Sequence, residues 1–212
     1  MRNEYERQLA QLKGELITMG ALCEEAITNA VKYLTGSDEA DREACLNADA
    51  QIDEKERDIE SLCIKLILQQ QPVAGDLRAV SAAMKMISDM ERIGDQASDI
   101  VEITPYVFGS GIESATHIRD MADATIRMVS ESVESFVKTD VEIARLVIEH
   151  DNRVDDLFDR VKEELINSIT GRNDNAEALI DLLMIAKYFE RIGDHAENIA
   201  EWVIYSITGM HP

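Results

Sequence analysis

Apolar residues recur along this chain at steps of three and four, the spacing that places them on one face of an α-helix. From about residue 3 to 34 the stripe is Leu9, Leu12, Leu16, Met19, Cys23, Ala26, Ala30 and Tyr33, and the segment Thr35-Gly36-Ser37-Asp38 closes it. A second stripe, Cys45, Ala48, Ile52, Ile59, Cys63 and Leu66, predicts a helix over about 38 to 70, after which Pro72 and Gly75 break the pattern. A third helix is predicted from Asp76 to Pro105 on Leu77, Val80, Met84 and Ile87. The stretch 105–112 reads as the longest connection. Helices over about 113–138, 140–170 and 175–208 follow, with Ser37 and Thr139 as helix caps, the latter in a Thr139-Asp-Val-Glu142 capping box. Helices this long need lateral partners along their whole extent, and short turns make consecutive ones antiparallel neighbours. The expected fold is all-α, two tandem antiparallel three-helix bundles over 1–107 and 108–212.

A repeat supports this division. Met90-Glu-Arg-Ile-Gly-Asp95-Gln-Ala-Ser-Asp99 recurs as Phe189-Glu-Arg-Ile-Gly-Asp194-His-Ala-Glu-Asn198, 99 positions later. Asp49 and Asp53 match Asp151 and Asp155 at an offset of 102, and the two caps share that offset.

Composition fits the helical reading: of 212 residues 45% are apolar but only 5% aromatic, with 3 Pro and 9 Met, an aliphatic and methionine core rather than a sandwich or barrel. The 42 acidic residues against 21 basic ones give a formal charge of -21, which repels phosphate backbones and anionic lipid and argues against nucleic-acid binding and electrostatic membrane attachment. The polar start and the lack of an 18-residue apolar run indicate a cytoplasmic protein with no direct membrane insertion. Cys23, Cys45 and Cys63 lie in helical apolar patterns and read as reduced core residues.

The acidic excess has a local form. Where the third helix's apolar series would next use position 91 it has Glu91, followed at four-residue steps by Asp95 and Asp99 on one broad face. Counted from the turn near 73, these lie about 18, 22 and 26 residues along one helix while Asp53 and Asp49 lie about 20 and 24 back along its neighbour, so antiparallel packing levels the two acidic stripes. Glu190, Asp194 and Asn198 face Asp155 and Asp151 in the same way in the second half. Converging carboxylates are costly unless solvated, paired or ligated, so each half is expected to hold a cation site, with Mg or Mn favoured and Fe or Zn also admissible. Asn198 in place of Asp99 lowers the charge of the second site, although Glu197 is close enough to contribute; Glu56 and Asp159 are further candidates. His195 points away from the stripe. Gly94 and Gly193 serve close approach at the acidic face, and Arg92 and Arg191 pair with neighbouring carboxylates or fix the other bundle. No Glu-x-x-His pair of the di-iron oxidase kind occurs, Asp38-Glu-Ala-Asp41 lacks any phosphate-binding loop, and no nucleophile has a local base, so no catalysis is expected.

With Glu91-Arg-Ile-Gly-Asp95 and Glu190-Arg-Ile-Gly-Asp194 in equivalent helices of two halves, the chain resembles the PhoU family of phosphate transport system regulatory proteins over essentially its full length. The resemblance implies multinuclear metal sites, a cytoplasmic location, a homodimer, and restraint of the high-affinity phosphate importer and of the phosphate-starvation response. The implied partners are the transporter's ATPase subunit and a membrane sensor histidine kinase. Two other readings stay open at this point, a purely structural helical dimer and a carboxylate-bridged metal enzyme or metal store.

Overall fold

The computed structural model describes residues 2–108, 116–171 and 175–212. Six helices follow one another: α1 (Arg2–Gly36), α2 (Glu39–Gln70), α3 (Gly75–Val107), α4 (Thr116–Lys138), α5 (Val141–Gly171) and α6 (Ala176–Thr208), with no strand among the described residues. Residues 109–112 of the expected long connection, and 172–174 of the last turn, lie outside the described residues.

Helices α1, α2 and α3 pack on one another as one bundle and α4, α5 and α6 as a second; the halves meet along α3 and α6, the most extensive contact, and along α1 and α4. The stripe of α2 is buried as the spacing predicts, at Cys45, Ala48, Ile52, Ile59, Cys63 and Leu66. In α1, Leu12, Leu16, Met19, Cys23, Ala26, Ala30 and Tyr33 are buried, with Leu9 packed at the margin. The central helix α3 departs from a single stripe. Val80 and Ile87 are buried, Met84 partly so and Leu77 is exposed, while Ala82, Ala83, Met86, Met90, Ile93, Ala97 and Ile100 are also buried. A helix clasped by α1, α2 and α6 buries more than one face, and a one-stripe reading misses the second. All three cysteines are free and buried, and burial pushes the Cys45 and Cys63 thiols up to about 12, which keeps them protonated and inert.

The caps differ from expectation by one residue. Ser37 and Thr139 have left-handed backbones, at φ 59° and 57°, and close the preceding helices: Ser37 N donates to Tyr33 O at 2.9 Å and Thr139 N to Phe136 O at 3.2 Å. The caps of α2 and α5 are the aspartates that follow. Asp38 Oδ1 accepts from Ala40 N at 3.0 Å, and Asp140 Oδ1 accepts from Glu142 N at 2.9 Å. A turn this short uses one residue to end a helix, so the acceptor side chain falls on the next.

Polar contacts fix α3 and α6 as antiparallel. The Asn198 amide donates to Asp89 Oδ1 at 3.3 Å, Tyr188 hydrogen-bonds to Asp99, and Arg78 Nε reaches Ser206 O at 3.4 Å. Since 89 and 188, and 99 and 198, are equivalent positions of the repeat, the two contacts near the middle are related by an approximate twofold axis crossing the seam. The α2–α3 and α5–α6 clefts flank that seam.

Candidate functional site

In the first cleft α2 presents Asp49 and Asp53, four residues apart on one face, and α3 presents Glu91 and Asp95. What lets the helices meet here is Gly94. A Cβ at that position would lie 2.7 Å from Asp49 Oδ1 and 3.0 Å from Ile52 Cδ1, so Asp49 rests against the bare backbone of α3. Ser98 Oγ donates to Asp49 Oδ2 at 2.7 Å, whereas Oδ1 is buried and without a hydrogen-bond partner. Burial raises the Asp49 pKa; the Ser98 hydrogen bond opposes that, and Asp53, Asp95 and Asp99 add to it. Glu91 is also raised, by burial first and by Asp95 next, against the pull of Arg92. Arg92, mostly exposed, pairs with Asp95 at 3.1 Å and Glu91 at 3.5 Å, a local pairing with neighbouring carboxylates.

The second cleft repeats the arrangement with Asp151 and Asp155 on α5 and Glu190 and Asp194 on α6. A Cβ at Gly193 would lie 3.1 Å from Asp151 Oδ1 and 3.4 Å from Val154 Cγ1. Burial pushes Asp151 up to about 7, helped by Glu197, Asp155, Asp194 and Glu190 in that order. Asp194 is raised by burial and then Glu190, and Glu197 by burial and then Glu201, Asp194 and Asp155. Glu190 is largely buried; its Oε2 forms an ion pair with Lys187 that lacks hydrogen-bond geometry.

Two of the expected site residues face elsewhere. Asn198 is turned across the seam onto Asp89, whose Oδ1 also lies 3.0 Å from His195 Nδ1, so His195 is a partner of α3 rather than a surface group. Asp99 lies where the first cleft and the seam adjoin: burial, Glu102 and Asp95 raise its pKa, while Arg191 and the Tyr188 hydrogen bond from α6 lower it. The cause is helical drift. Four-residue steps advance about 400°, so two of them carry 91 to 99, or 190 to 198, about 80° round the helix and from one neighbour toward another. A step of seven returns within about 20°, and it reaches Ser98 and Glu197, the residues that face the clefts. Glu197, already a candidate from the sequence, brings a carboxylate beside Asp151 at the position where the first cleft has Ser98. Arg191 stacks on Tyr188, its guanidinium carbon 5.8 Å from the ring centre. Of the further candidates, Glu56 accepts from Ser88 Oγ at 3.2 Å beside the first cleft, and Asp159 is exposed and paired with Lys162.

As the side chains stand, no three His, Cys, Asp or Glu groups among the described residues are disposed to hold a metal ion. The donor set nonetheless suits a hard cation. It is all oxygen, its carboxylates repel one another, it contains a buried acceptor with no donor, and a glycine in each half opens space where a side chain would intrude.

Known proteins share this architecture. The PhoU domain matches residues 16–104 and again 118–203. The chain is 34% identical over 210 residues to a phosphate-specific transport system accessory protein PhoU homolog of Clostridium acetobutylicum, spanning 98% of this chain and 96% of that one. It is 36% identical over 213 residues to the homolog of Aquifex aeolicus, spanning 96% and 92%. The crystal structure of PhoU from Pseudomonas aeruginosa matches with a TM-score of 0.91 at 29% identity, over 97% of this chain and all 100% of that one. That of the phosphate transport system regulatory protein PhoU from Streptococcus pneumoniae, at 23% identity and a TM-score of 0.89, shares the fold. The repeated PhoU domain and the full-length relatives place the two bundles in one class of protein, and this chain belongs to the PhoU family.

Proposed function

We propose that this protein is a phosphate transport accessory protein that restrains high-affinity phosphate uptake and the phosphate-starvation response when phosphate is plentiful, by docking on the transporter's ATPase subunit and on the sensor histidine kinase. It works in the cytoplasm as a homodimer and catalyses no reaction. The family supports the transport role, and among the described residues no helix is long and apolar enough to cross a membrane.

The observation that carries the mechanism is the duplicated acidic cleft, with a carboxylate seated on a glycine in both halves. Asp49 and Asp53 with Glu91 and Asp95, and Asp151 and Asp155 with Glu190 and Asp194, would hold divalent or trivalent cations, Mg or Mn before Fe, with Zn less suited to an all-oxygen set. A bound cation supplies the positive charge that offsets carboxylate repulsion across each pair of helices. Asp49 and Asp151 are already seated against Gly94 and Gly193. Ion pairs with Arg92 and Lys187 hold part of each set in place and compete for it. Clefts so drawn together present one firm face to a partner, and a partner that selects this state stabilises it by linkage.

Replacing Glu91, Asp95, Glu190 and Asp194 together with their amides tests this. The variant should stay helical by circular dichroism, lose metal from protein purified without chelator, and capture the ATPase subunit at least tenfold less well in pull-downs at high phosphate. Unchanged metal content and unchanged capture would overturn the reading.

A further inference from the structure

We infer that an exposed strip along α5 and α6, between the second acidic cleft and the turn joining these helices, is the surface that docks on the transporter's ATPase subunit, and that it takes an amphipathic helix with carboxylates beside its apolar face. This deepens the docking reading above and rests on it. Ile166 on α5 and Ile180 and Met184 on α6 are 53%, 57% and 38% exposed. Lys187 Nζ of α6 lies 5.5 Å from the centre of the Phe158 ring of α5, which pins the register of the two antiparallel helices; Lys162 Nζ lies 5.7 Å from the same ring. One turn from that contact toward the α5–α6 turn, Lys162 is level with Met184, and about two turns from it Ile166 is level with Ile180. The six side chains therefore form one continuous strip. Helix α4 packs on both α5 and α6 and leaves this strip in solvent, so a helix laid here completes a four-helix bundle.

The fold does not require this strip to be apolar. At the equivalent positions of the first bundle, 102 earlier on α2 and 99 earlier on α3, stand Glu56, Glu60 and Ile64, and Ser81, Lys85 and Ser88. One isoleucine is shared; otherwise the twin surface is polar, as suits a solvent-facing surface on a chain of formal charge -21. The α5–α6 strip instead combines four apolar side chains with two lysines and has no acid among its six members. Each lysine has a partner on its own helix, Lys162 with Asp159 and Lys187 with Glu190. The Lys162–Asp159 pair stands largely in solvent and is of the kind that contributes little, so its ammonium group can exchange Asp159 for a partner's carboxylate. An apolar strip edged by ammonium groups on an otherwise acidic molecule selects a segment with apolar side chains at helical spacing and carboxylates at their edge. A twofold contact with a second copy would set this strip against itself, ammonium groups included.

The test is binding of the purified ATPase subunit to the full chain, read as a Kd by titration calorimetry at low and at high NaCl. A triple variant, Ile166→Ser with Ile180→Ser and Met184→Ser, should keep its helical circular dichroism and bind at least about tenfold more weakly, since a few clustered anchors carry most of an interface's energy. Lys162→Glu should weaken binding about threefold or more at low salt and less at high salt, where the charges are screened. Leu68→Ser with Leu77→Ser, at the exposed apolar end of α2 and α3, should bind as the wild type does. Wild-type affinity at low salt in the triple variant or in Lys162→Glu, or a loss seen in the Leu68 and Leu77 variant instead, would overturn the inference and leave the docking reading standing. So would a triple variant whose oligomeric mass changes by light scattering, since the strip would then cover a second copy. A wild type that does not bind the ATPase subunit would overturn both.

Discussion

Gly94 and Gly193 stand in the middle of long helices, where glycine costs about 1 kcal/mol relative to alanine. Each lies opposite an aspartate, at different clearances: 2.7 Å to Asp49 Oδ1 and 3.1 Å to Asp151 Oδ1 for an added Cβ. Gly94→Ala must therefore displace Asp49, which Ser98 also holds, whereas Gly193→Ala needs a shift of a few tenths of an ångström. Urea unfolding should show Gly94→Ala losing about 1–2 kcal/mol despite its better helix propensity, and Gly193→Ala near neutral or slightly stabilised. These glycines were legible in the sequence because a mid-helix glycine repeated in an identical pentapeptide demands a reason. Asp49, Asp53, Glu91, Asp95 and their counterparts were legible from register. Glu197 was legible as a neighbour of the stripe, but Ser98 was not, because four-residue steps follow a stripe that winds off its face, and Asp89 was not, because its role depends on which helix lies against α3.

For whole elements, the aspartates that begin α2 and α5 carry the testable load. Asp38→Ala and Asp140→Ala should each cost about 1 kcal/mol, a fall in Tm of roughly 2–4 °C, by removing an acceptor from helix-start N–H groups. Ser37→Gly should be neutral or stabilising, since the left-handed backbone at φ 59° suits glycine better than serine. Had Ser37 been the cap, its loss would cost what the loss of Asp38 does, so thermal melts of the two variants separate the cases. The existence and antiparallel order of all six helices followed from apolar period and turn residues. The width of α3's buried surface did not, since a helix at the centre of two bundles buries faces that one stripe does not mark.

At the scale of the molecule, part of the acidic excess behind the charge of -21 lies where burial makes it hard to carry. Asp49, Glu91, Asp99, Asp151, Asp194 and Glu197 all have raised pKa values, with burial the first cause in each. A carboxyl raised in the folded state gives up its proton less readily there than in the unfolded chain. Stability should then fall as pH rises from about 4, where unfolded carboxyls ionise, to about 7, where Asp151 does, and level off above that. In chelator the protein should unfold at lower urea at pH 8 than at pH 5, and millimolar Mn2+ should shrink or invert the difference. Stability that instead rises with pH in chelator would contradict the burial of these groups. The seam between α3 and α6 has a consequence of another kind. It joins two copies of one helical unit much as a symmetric dimer would, but within a single chain, so a substitution in one copy has no mirror image in the other. A dimer of identical repeats could not carry serine in one cleft and glutamate in its twin. Fusion of the copies lets one cleft specialise while the other keeps its chemistry.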